Sequence, residues 1–377
     1  MFSLLQRDSR TAARRGILTL PHGTVETPVF MPVGTQGTVK TLHPDDLRAL
    51  GAGIILGNTY HLFLRPGLDV LRGQGGLHRF STWDRCLLTD SGGFQVWSLA
   101  KLRKISEEGV HFQNHLNGAP MFLSPETSME IQAVLGSDIA MVFDECPPYP
   151  CDRAYAEKST DLTTRWAERC RKWIDIHSPM AGGGLGRQHH FAIVQGSTFA
   201  DLRERSARVL VDLGFDGFAI GGVSVGEPEE EMLRAVDHAV PFLPEDKPRY
   251  AMGLGTPPQI LGMIARGVDM FDCVYPTRAA RHGLAFTADG PINIKNAKFE
   301  NDPNPIHPDT AASVLPFSRA YLRHLFKAGE LLALRLLSIH NLHFYLGLMA
   351  QARAAIAADR YGEFMTDTIA RYEARRL

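Results

Sequence analysis

Short apolar runs recur along the chain, separated by longer stretches in which apolar residues return every three or four positions. The runs are Pro28–Val33, Gly53–Asn58, Leu87–Asp90, Ile139–Asp144, His190–Gln195, Gly217–Gly221, Arg249–Met252 and Met270–Val274. Each is short and apolar at consecutive positions, as strands of a parallel sheet buried on both faces must be. The stretch Asp201–Leu210 illustrates the intervening period, with Leu202, Ala207 and Leu210 on one helical face. Eight such units predict an α/β fold, a (β/α)8 TIM barrel. An open sheet of six or seven strands is the alternative.

Two stretches interrupt this alternation. Between the third and fourth runs, GVHFQNHLNGAPMFLS alternates polar and apolar residues around Asn117-Gly118. That pair signals a type I′ turn, so an inserted β-hairpin over the barrel mouth is expected. Near Met180–Arg187, the stretch AGGGLGR reads as a flexible loop and not as a dinucleotide fingerprint, because no strand precedes its glycines. After Phe299 the proline-rich connector NDPNPIHPD begins. Beyond it Tyr321 and Leu325, then Leu342, Leu346, Met349 and Ile356, keep helical spacing. We therefore expect a barrel domain with inserts over residues 1–299 and a helical C-terminal subdomain over 300–377.

Composition narrows the class without naming a function. The 377 residues suffice for one large domain or two ordinary ones, and 44% hydrophobic content supports a soluble core. A net charge of −1 means that any nucleic-acid binding must come from a local patch. The five cysteines, Cys86, Cys146, Cys151, Cys170 and Cys273, are odd in number and scattered, which suits reduced thiols in a cytoplasm. The polar start argues against a signal peptide, and no uninterrupted apolar run is long enough to span a bilayer.

Polar residues gather where the apolar runs end. Asn58, Asp90, Asp144, Gln195, Gly222, Met252 and Asp272 all lie at or near those C-terminal ends, where barrel enzymes carry their active sites. In MFDCVYPTRAAR, Asp272 sits in a β-prone run, and Arg278 and Arg281 follow a turn at Pro276. A carboxylate there is expensive to desolvate, and the arginines suit an anionic substrate. The competing reading is a turn-capping Asp beside a solvated basic loop. In TDSGGFQ, Asp90 is followed by Ser91, Gly92 and Gly93, small residues that let backbone approach a ligand, and by Phe94, which can stack on a flat ring. Here the competing reading is an N-cap. Two carboxylates on one cleft suit glycosyl chemistry, one attacking an oxocarbenium-like centre and one moving protons. Asp144, Gln195 and the Gly221-Gly222 backbone can read the edge of a purine-like ring, with Phe94 and Met252 on its faces; for Met252, core packing is the commoner role. Arg278, Arg281, Lys295 and Lys298, opposed only by Asp289, form a modest basic patch fit for a few phosphates.

The motifs TDSGGFQ, FDEC, VQGS, GGVSVGE, MGLG, FDCVYPTR and INIKNAKF follow one another along the chain. Together they closely resemble the tRNA-guanine transglycosylases, from about Thr19 to the C-terminus. The resemblance implies a barrel fold and, in queuosine biosynthesis, exchange of a wobble guanine for a 7-deazaguanine. It makes Asp272 the nucleophile on ribose C1′ and Asp90 the general acid/base. Asp90, Ser91, Gly92, Gly93, Phe94, Asp144, Gln195, Gly222 and Met252 match substrate-binding positions. Gly253, Gly255, Thr277, Arg278, Arg281 and Lys295 match RNA-contacting segments. Val225, where eukaryotic members carry glycine, and Cys146 match the bacterial pattern, which implies 7-aminomethyl-7-deazaguanine as the incoming base; Val223 replaces the usual leucine beside the pocket. The implied partners are the anticodon loop of a GUN-anticodon tRNA and, in a homodimer, a second copy.

One departure from the family pattern concerns its structural zinc. The stretch HPDTAASVLPFSRAY lacks the family's cysteines, and of the four ligands His340 alone remains. The expectation is therefore no metal cofactor, with Ala311, Ala312, Val314 and Leu315 packing where a metal would clip loop to helix. Three other functions stay open at this stage: a non-catalytic tRNA-binding partner subunit, a paralogue modifying DNA or another RNA, and an unrelated barrel enzyme acting on a small phosphate ester.

Overall fold

Eight short strands close on one another because each presents apolar side chains to both faces. They are β4 (Val29–Gly34), β5 (Ile54–Gly57), β6 (Cys86–Thr89), β10 (Ile139–Met141), β11 (His189–Val194), β12 (Gly217–Ile220), β13 (Arg249–Ala251) and β14 (Met270–Cys273). All neighbouring pairs are parallel, and β14 pairs with β4 to complete a closed barrel. The eight runs anticipated from sequence are these eight strands, with no end shifted by more than three residues. Residues 1–95, 103–177 and 187–374 are described in this computed structural model. The glycine-rich loop expected over 181–187 falls almost wholly outside them.

Side-chain alternation divides the core in two. Val29, Met31, Ile54, Leu56, Cys86, Leu88, Ile139, Met141, Phe191, Ile193, Tyr250 and Met270 pack inside the barrel. Phe30, Ile55, Leu87, Ala192, Val194, Phe218, Ile220 and Phe271, their neighbours along the strands, pack outward under the helices. The helix Ala200–Asp212 turns Leu202, Ala207 and Leu210 inward, as its spacing predicts, and buries Arg203 and Ser206 as well.

An element that sequence reasoning missed closes the far end. Strands β1 (Phe2–Arg7), β2 (Arg14–Leu20) and β3 (Gly23–Thr27) form an antiparallel sheet. Its Phe2, Leu18, Leu20 and Val25 join the interior cluster beside the first residues of the barrel strands. Arg14 ties this sheet down: Nε donates to Asp269 Oδ1 at 2.9 Å, and Nη1 and Nη2 donate to the carbonyls of Glu245 (2.8 Å) and Lys247 (2.7 Å). The Asp269 carboxylate also accepts from Arg249 N at 2.7 Å, so the buried pair is fully satisfied.

The insert between β6 and β10 is a three-stranded sheet of β7 (Arg103–Ile105), β8 (Val110–Gln113) and β9 (Pro120–Leu123). The expected hairpin is there, but its turn is not a two-residue type I′. Gln113 pairs with Pro120, and of Asn117 and Gly118 only the glycine takes positive φ. Asn114 Oδ1 instead accepts from Leu116 N at 2.7 Å, which organises a longer loop.

At the C-terminal end, helices span Arg319–Ala328, Leu331–Ala357 and Tyr361–Glu373. Leu331–Ala357 is long and apolar enough by length and composition to cross a bilayer, although Arg335, His340, Asn341 and His343 interrupt its apolar run. Its most apolar window is 56% buried, and it packs on β4 and on the helix Tyr275–Arg281, so it is a core helix of the protein. From it, Asn341 Nδ2 donates to the carbonyls of Pro276 and Leu284, both at 2.9 Å, and its Oδ1 accepts from Phe286 N at 2.9 Å. Tyr345 donates its hydroxyl to the Gly255 carbonyl.

Removing one partner of a buried, hydrogen-bonded ion pair strands the other charge. Arg14→Ala is expected to lower the unfolding free energy by about 3–5 kcal/mol, measured by urea denaturation. A loss below about 1 kcal/mol would show that the sheet is held by apolar contact alone.

Candidate active site at the barrel mouth

The period of two that fills the barrel also builds its mouth. Asp90, Gln195, Met252 and Asp272 each stand two residues beyond an inward-facing residue: Leu88, Ile193, Tyr250 and Met270. They therefore continue the interior layers at the C-terminal end. Asp144 arrives differently. Strand β10 stops at Met141, whose N–H and carbonyl are clasped by the Gln132 carboxamide at 3.0 and 2.9 Å, and the chain then runs irregularly over the mouth.

Asp90 is 6% exposed and surrounded by donors. Its carboxylate accepts from Asn58 Nδ2, from Thr59 N at 2.8 Å and from Gln95 Nε2 at 2.7 Å. Burial nonetheless pushes its pKa up to about 6, against the pull of those donors, and the Asp272 charge adds to the rise. Asp272 Oδ1 accepts from the Tyr250 hydroxyl at 2.5 Å and from Gly253 N at 2.8 Å. Burial raises the Asp272 pKa too, and these two donors oppose it. The two carboxylates thus share one mouth at unequal depth, since Asp272 is less enclosed than Asp90.

A second set of contacts shapes a recess beside them. Asp144 accepts from Ser91 Oγ at 3.0 Å and from Gln195 Nε2 at 2.8 Å, and burial raises its pKa against both. Gln195 Oε1 is buried with no hydrogen-bond partner. Gly222 takes φ +60, and a side chain there would meet Gln195 Oε1 at 2.8 Å. At Gly93 a Cβ would stand 2.6 Å from the Asp144 carbonyl. Phe94 lies at the rim, 44% exposed, while Met252 is half-buried against the barrel interior. Val223 and Cys146 are buried nearby, at 5% and 7% exposure.

The RNA-directed positions divide. Arg278 and Lys295 are exposed, and Arg281 Nη1 is buried with no hydrogen-bond partner among the described residues. Thr277 is buried, its hydroxyl donating to the Val274 carbonyl at 3.3 Å. Gly253 already gives its N–H to Asp272, and Gly255 is packed against Tyr275 and Cys273. Asp289, which the sequence sets against the basic patch, pairs with Arg371 at 2.7 Å.

Sequence reasoning assigned no role to Asn58, Thr59, Gln95, Tyr250 or Arg203. Gln95 and Asn58 carried a faint signal, one inside TDSGGFQ and the other at a strand end. Tyr250 carried another, a phenol at an inward position two residues before Met252. Arg203 gave none, because an arginine in a polar-faced helix reads as solvated. It is fully buried, donating to the carbonyls of Ser197 (2.7 Å), Val194 (3.2 Å) and Gly221 (2.7 Å), and burial lowers its pKa to about 10. Glu145, next to Asp144, is likewise buried; its pKa is raised to about 7 by burial while the Tyr155 hydroxyl, 2.8 Å away, pulls it down.

Comparison with known proteins agrees with this arrangement across the whole chain. The family model described as queuine tRNA-ribosyltransferase matches residues 8–374. A queuine tRNA-ribosyltransferase of Pelotomaculum thermopropionicum is 54% identical over 373 residues, covering 99% of this chain and 98% of the relative. That of Bacillus subtilis is 54% identical over 372 residues, 98% of this chain and 96% of its own length. The Listeria monocytogenes protein of the same name is 53% identical over 372 residues. With the closed barrel and a two-carboxylate mouth in place, the chain belongs to the queuine tRNA-ribosyltransferase family, whose members are pentosyl-transferring enzymes.

Proposed function

We propose that this enzyme is a tRNA-guanine transglycosylase that replaces the wobble guanine of GUN-anticodon tRNAs with 7-aminomethyl-7-deazaguanine. The observation that carries the reading is the pairing of Asp272, held by Tyr250 and Gly253, with Asp90, whose pKa lies near 6. In the first half, an Asp272 oxygen attacks ribose C1′ and the bond from C1′ to guanine breaks. The leaving base takes the electron pair, and Asp90 supplies its proton. In the second half, the incoming deazaguanine gives its ring proton to Asp90 and attacks C1′, and Asp272 departs as carboxylate. A general acid/base works best with a pKa near the working pH, a condition that Asp90, raised to about 6, approaches.

Base recognition falls to Asp144, Gln195 and the Gly222 backbone, with Ser91, Gly92 and Gly93 leaving room and Phe94 and Met252 at the faces. The carboxylate accepts from ring and amino N–H groups. The wobble base must leave its stack to enter, which costs a few kcal/mol. Arg278, Arg281 and Lys295 take phosphates; the unpartnered Arg281 Nη1 suits an anionic oxygen. Such an enzyme works where tRNA is, in the bacterial cytoplasm.

The C-terminal residues do not fit a zinc centre. His340 Nε2 donates to the Phe286 carbonyl at 2.7 Å, and burial lowers its pKa to about 4. Among the described residues no set of three His, Cys, Asp or Glu donors surrounds it. Of the four residues expected to pack there, Ala311 and Val314 are buried in the apolar core, whereas Ala312 and Leu315 are exposed and do not share that packing. Homodimer formation belongs to the same proposal, and a monomer mass by sedimentation at micromolar concentration would remove it.

Asp272→Asn is expected to lose the covalent RNA adduct on denaturing gels and at least about 10³-fold in exchange rate. Asp144→Asn keeps the adduct but binds the free base about ten- to a hundredfold more weakly. An adduct in the first variant, or unchanged base affinity in the second, would overturn the assignment. The pH dependence has a sign. Guanine release needs protonated Asp90, so kcat/KM for tRNA falls as pH rises above about 6. In the adduct the Asp272 charge is gone, so the limb for the incoming base rises at lower pH than that. Parallel limbs in the two half-reactions would exclude Asp90 as the shared group.

A further inference from the structure

At the opposite end of the barrel from the carboxylate mouth, three donors converge that the reaction does not use. His22 lies in the turn between β2 and β3, His78 in the helix Leu77–Ser81, and Asp138 immediately before β10. Their ligand atoms all lie within 4.8 Å of one another. His22 Nδ1 stands 2.8 Å from Asp138 Oδ1, and His78 Nε2 stands 3.4 Å from Asp138 Oδ2. Asp138 also accepts from His22 N at 3.0 Å and from Leu87 N at 2.8 Å, which fixes its orientation.

The tautomer of His78 is set by its surroundings. Its Nδ1 is 2.9 Å from the Trp83 carbonyl, which can only accept, so Nδ1 carries the hydrogen. In the neutral ring, Nε2 then points a lone pair toward a carboxylate. It is buried and has no hydrogen-bond partner. Two electron-rich atoms that face each other are satisfied by a proton, a donating water or a cation between them. A proton on Nε2 would serve, but 3.4 Å is long for a charge-assisted hydrogen bond. It would also place an imidazolium flat against His22, whose ring centroid is 3.6 Å away.

A metal ion between His78 Nε2 and Asp138 satisfies both groups, with the stacked His22 and His78 rings splaying apart to aim at it. Ligand atoms about 2.0–2.2 Å from a tetrahedral ion stand roughly 3.2–3.6 Å from one another; the His78–Asp138 spacing of 3.4 Å falls in that range, and the His22–Asp138 spacing of 2.8 Å would have to open. A histidine ligand that donates its other ring N–H to a backbone carbonyl is the usual outer-shell arrangement, which His78 and Trp83 already make. His22 needs only to carry its hydrogen on Nε2. The side chains of His22 and His78 keep 19% and 11% exposure, enough for water to supply a fourth ligand. We propose that His22, His78 and Asp138 bind one transition-type divalent cation, such as Zn²⁺ or Co²⁺, which pins the N-terminal sheet to the base of the barrel.

The test uses the full chain after chelator treatment, titrated with Co²⁺ and followed by visible absorption and calorimetry. One equivalent is expected to bind with the bands of a tetrahedral nitrogen and oxygen set and to raise the thermal midpoint. His22→Gln and His78→Ala should each weaken binding by at least about tenfold, since changes even to outer partners of a ligand have that effect. His340→Ala should bind as the wild type does. No bound equivalent in the wild type, or binding undiminished in both His22→Gln and His78→Ala, overturns the proposal, as does binding lost only in His340→Ala. The two variants come from different segments, so misfolding of one leaves the other to decide.

Discussion

Desolvation of carboxylates is the constraint around which this molecule is arranged. A closed barrel leaves little water at its mouth, and three aspartates open into it. Each would be driven toward neutrality without donors. Asp90 has Asn58, Thr59 and Gln95; Asp144 has Ser91 and Gln195; Asp272 has Tyr250 and Gly253. Even so, burial wins at all three, and their pKa values rise. Asp90, raised to about 6, is consequently placed to exchange a proton there.

The donors themselves need support, and that support comes from outside the barrel. Arg203 reaches from the helix Ala200–Asp212 to the carbonyls at the ends of β11 and β12, next to Gln195 and Gly222. Its charge is dispersed over backbone oxygens and not over a carboxylate. A guanidinium suits this because its fork can reach several acceptors at once. On the other side Glu145, next to Asp144, is itself held by Tyr155 and Ser159 of the helix Arg153–His177.

Much of this was legible from sequence where one period governs both packing and placement. Strand alternation that buries Leu88, Ile193 and Met270 also dictates that Asp90, Gln195 and Asp272 face inward. The eight strands and the positions of their terminal polar residues follow from that alone. The family resemblance then gave those residues chemical roles. What stayed hidden depends on contacts between distant segments. The sheet of β1 to β3 has strands with one to three apolar residues each, too few to be placed before the barrel end that they cover is known. Arg203 reads as surface until the glycine carbonyls it serves are in view. The turn at Asn117-Gly118 was misjudged because Asn114, three residues earlier, captures the loop's N–H groups first.

Asn341 joins the last long helix to the carbonyls of Pro276 and Leu284 and to the N–H of Phe286. The segment carrying Arg278 and Arg281 is thus clasped by a residue made much later in synthesis. Strand β14 must also reach back to β4 near the start of the chain before the barrel closes. A nascent chain emerging from the ribosome lacks that clasp until the helix Leu331–Ala357 has cleared the exit. Incomplete polypeptides therefore carry the aspartates without a finished cationic shoulder beside them. A prematurely terminated product therefore lacks the hydrogen bonds that fix the segment carrying Arg278 and Arg281 to the rest of the fold.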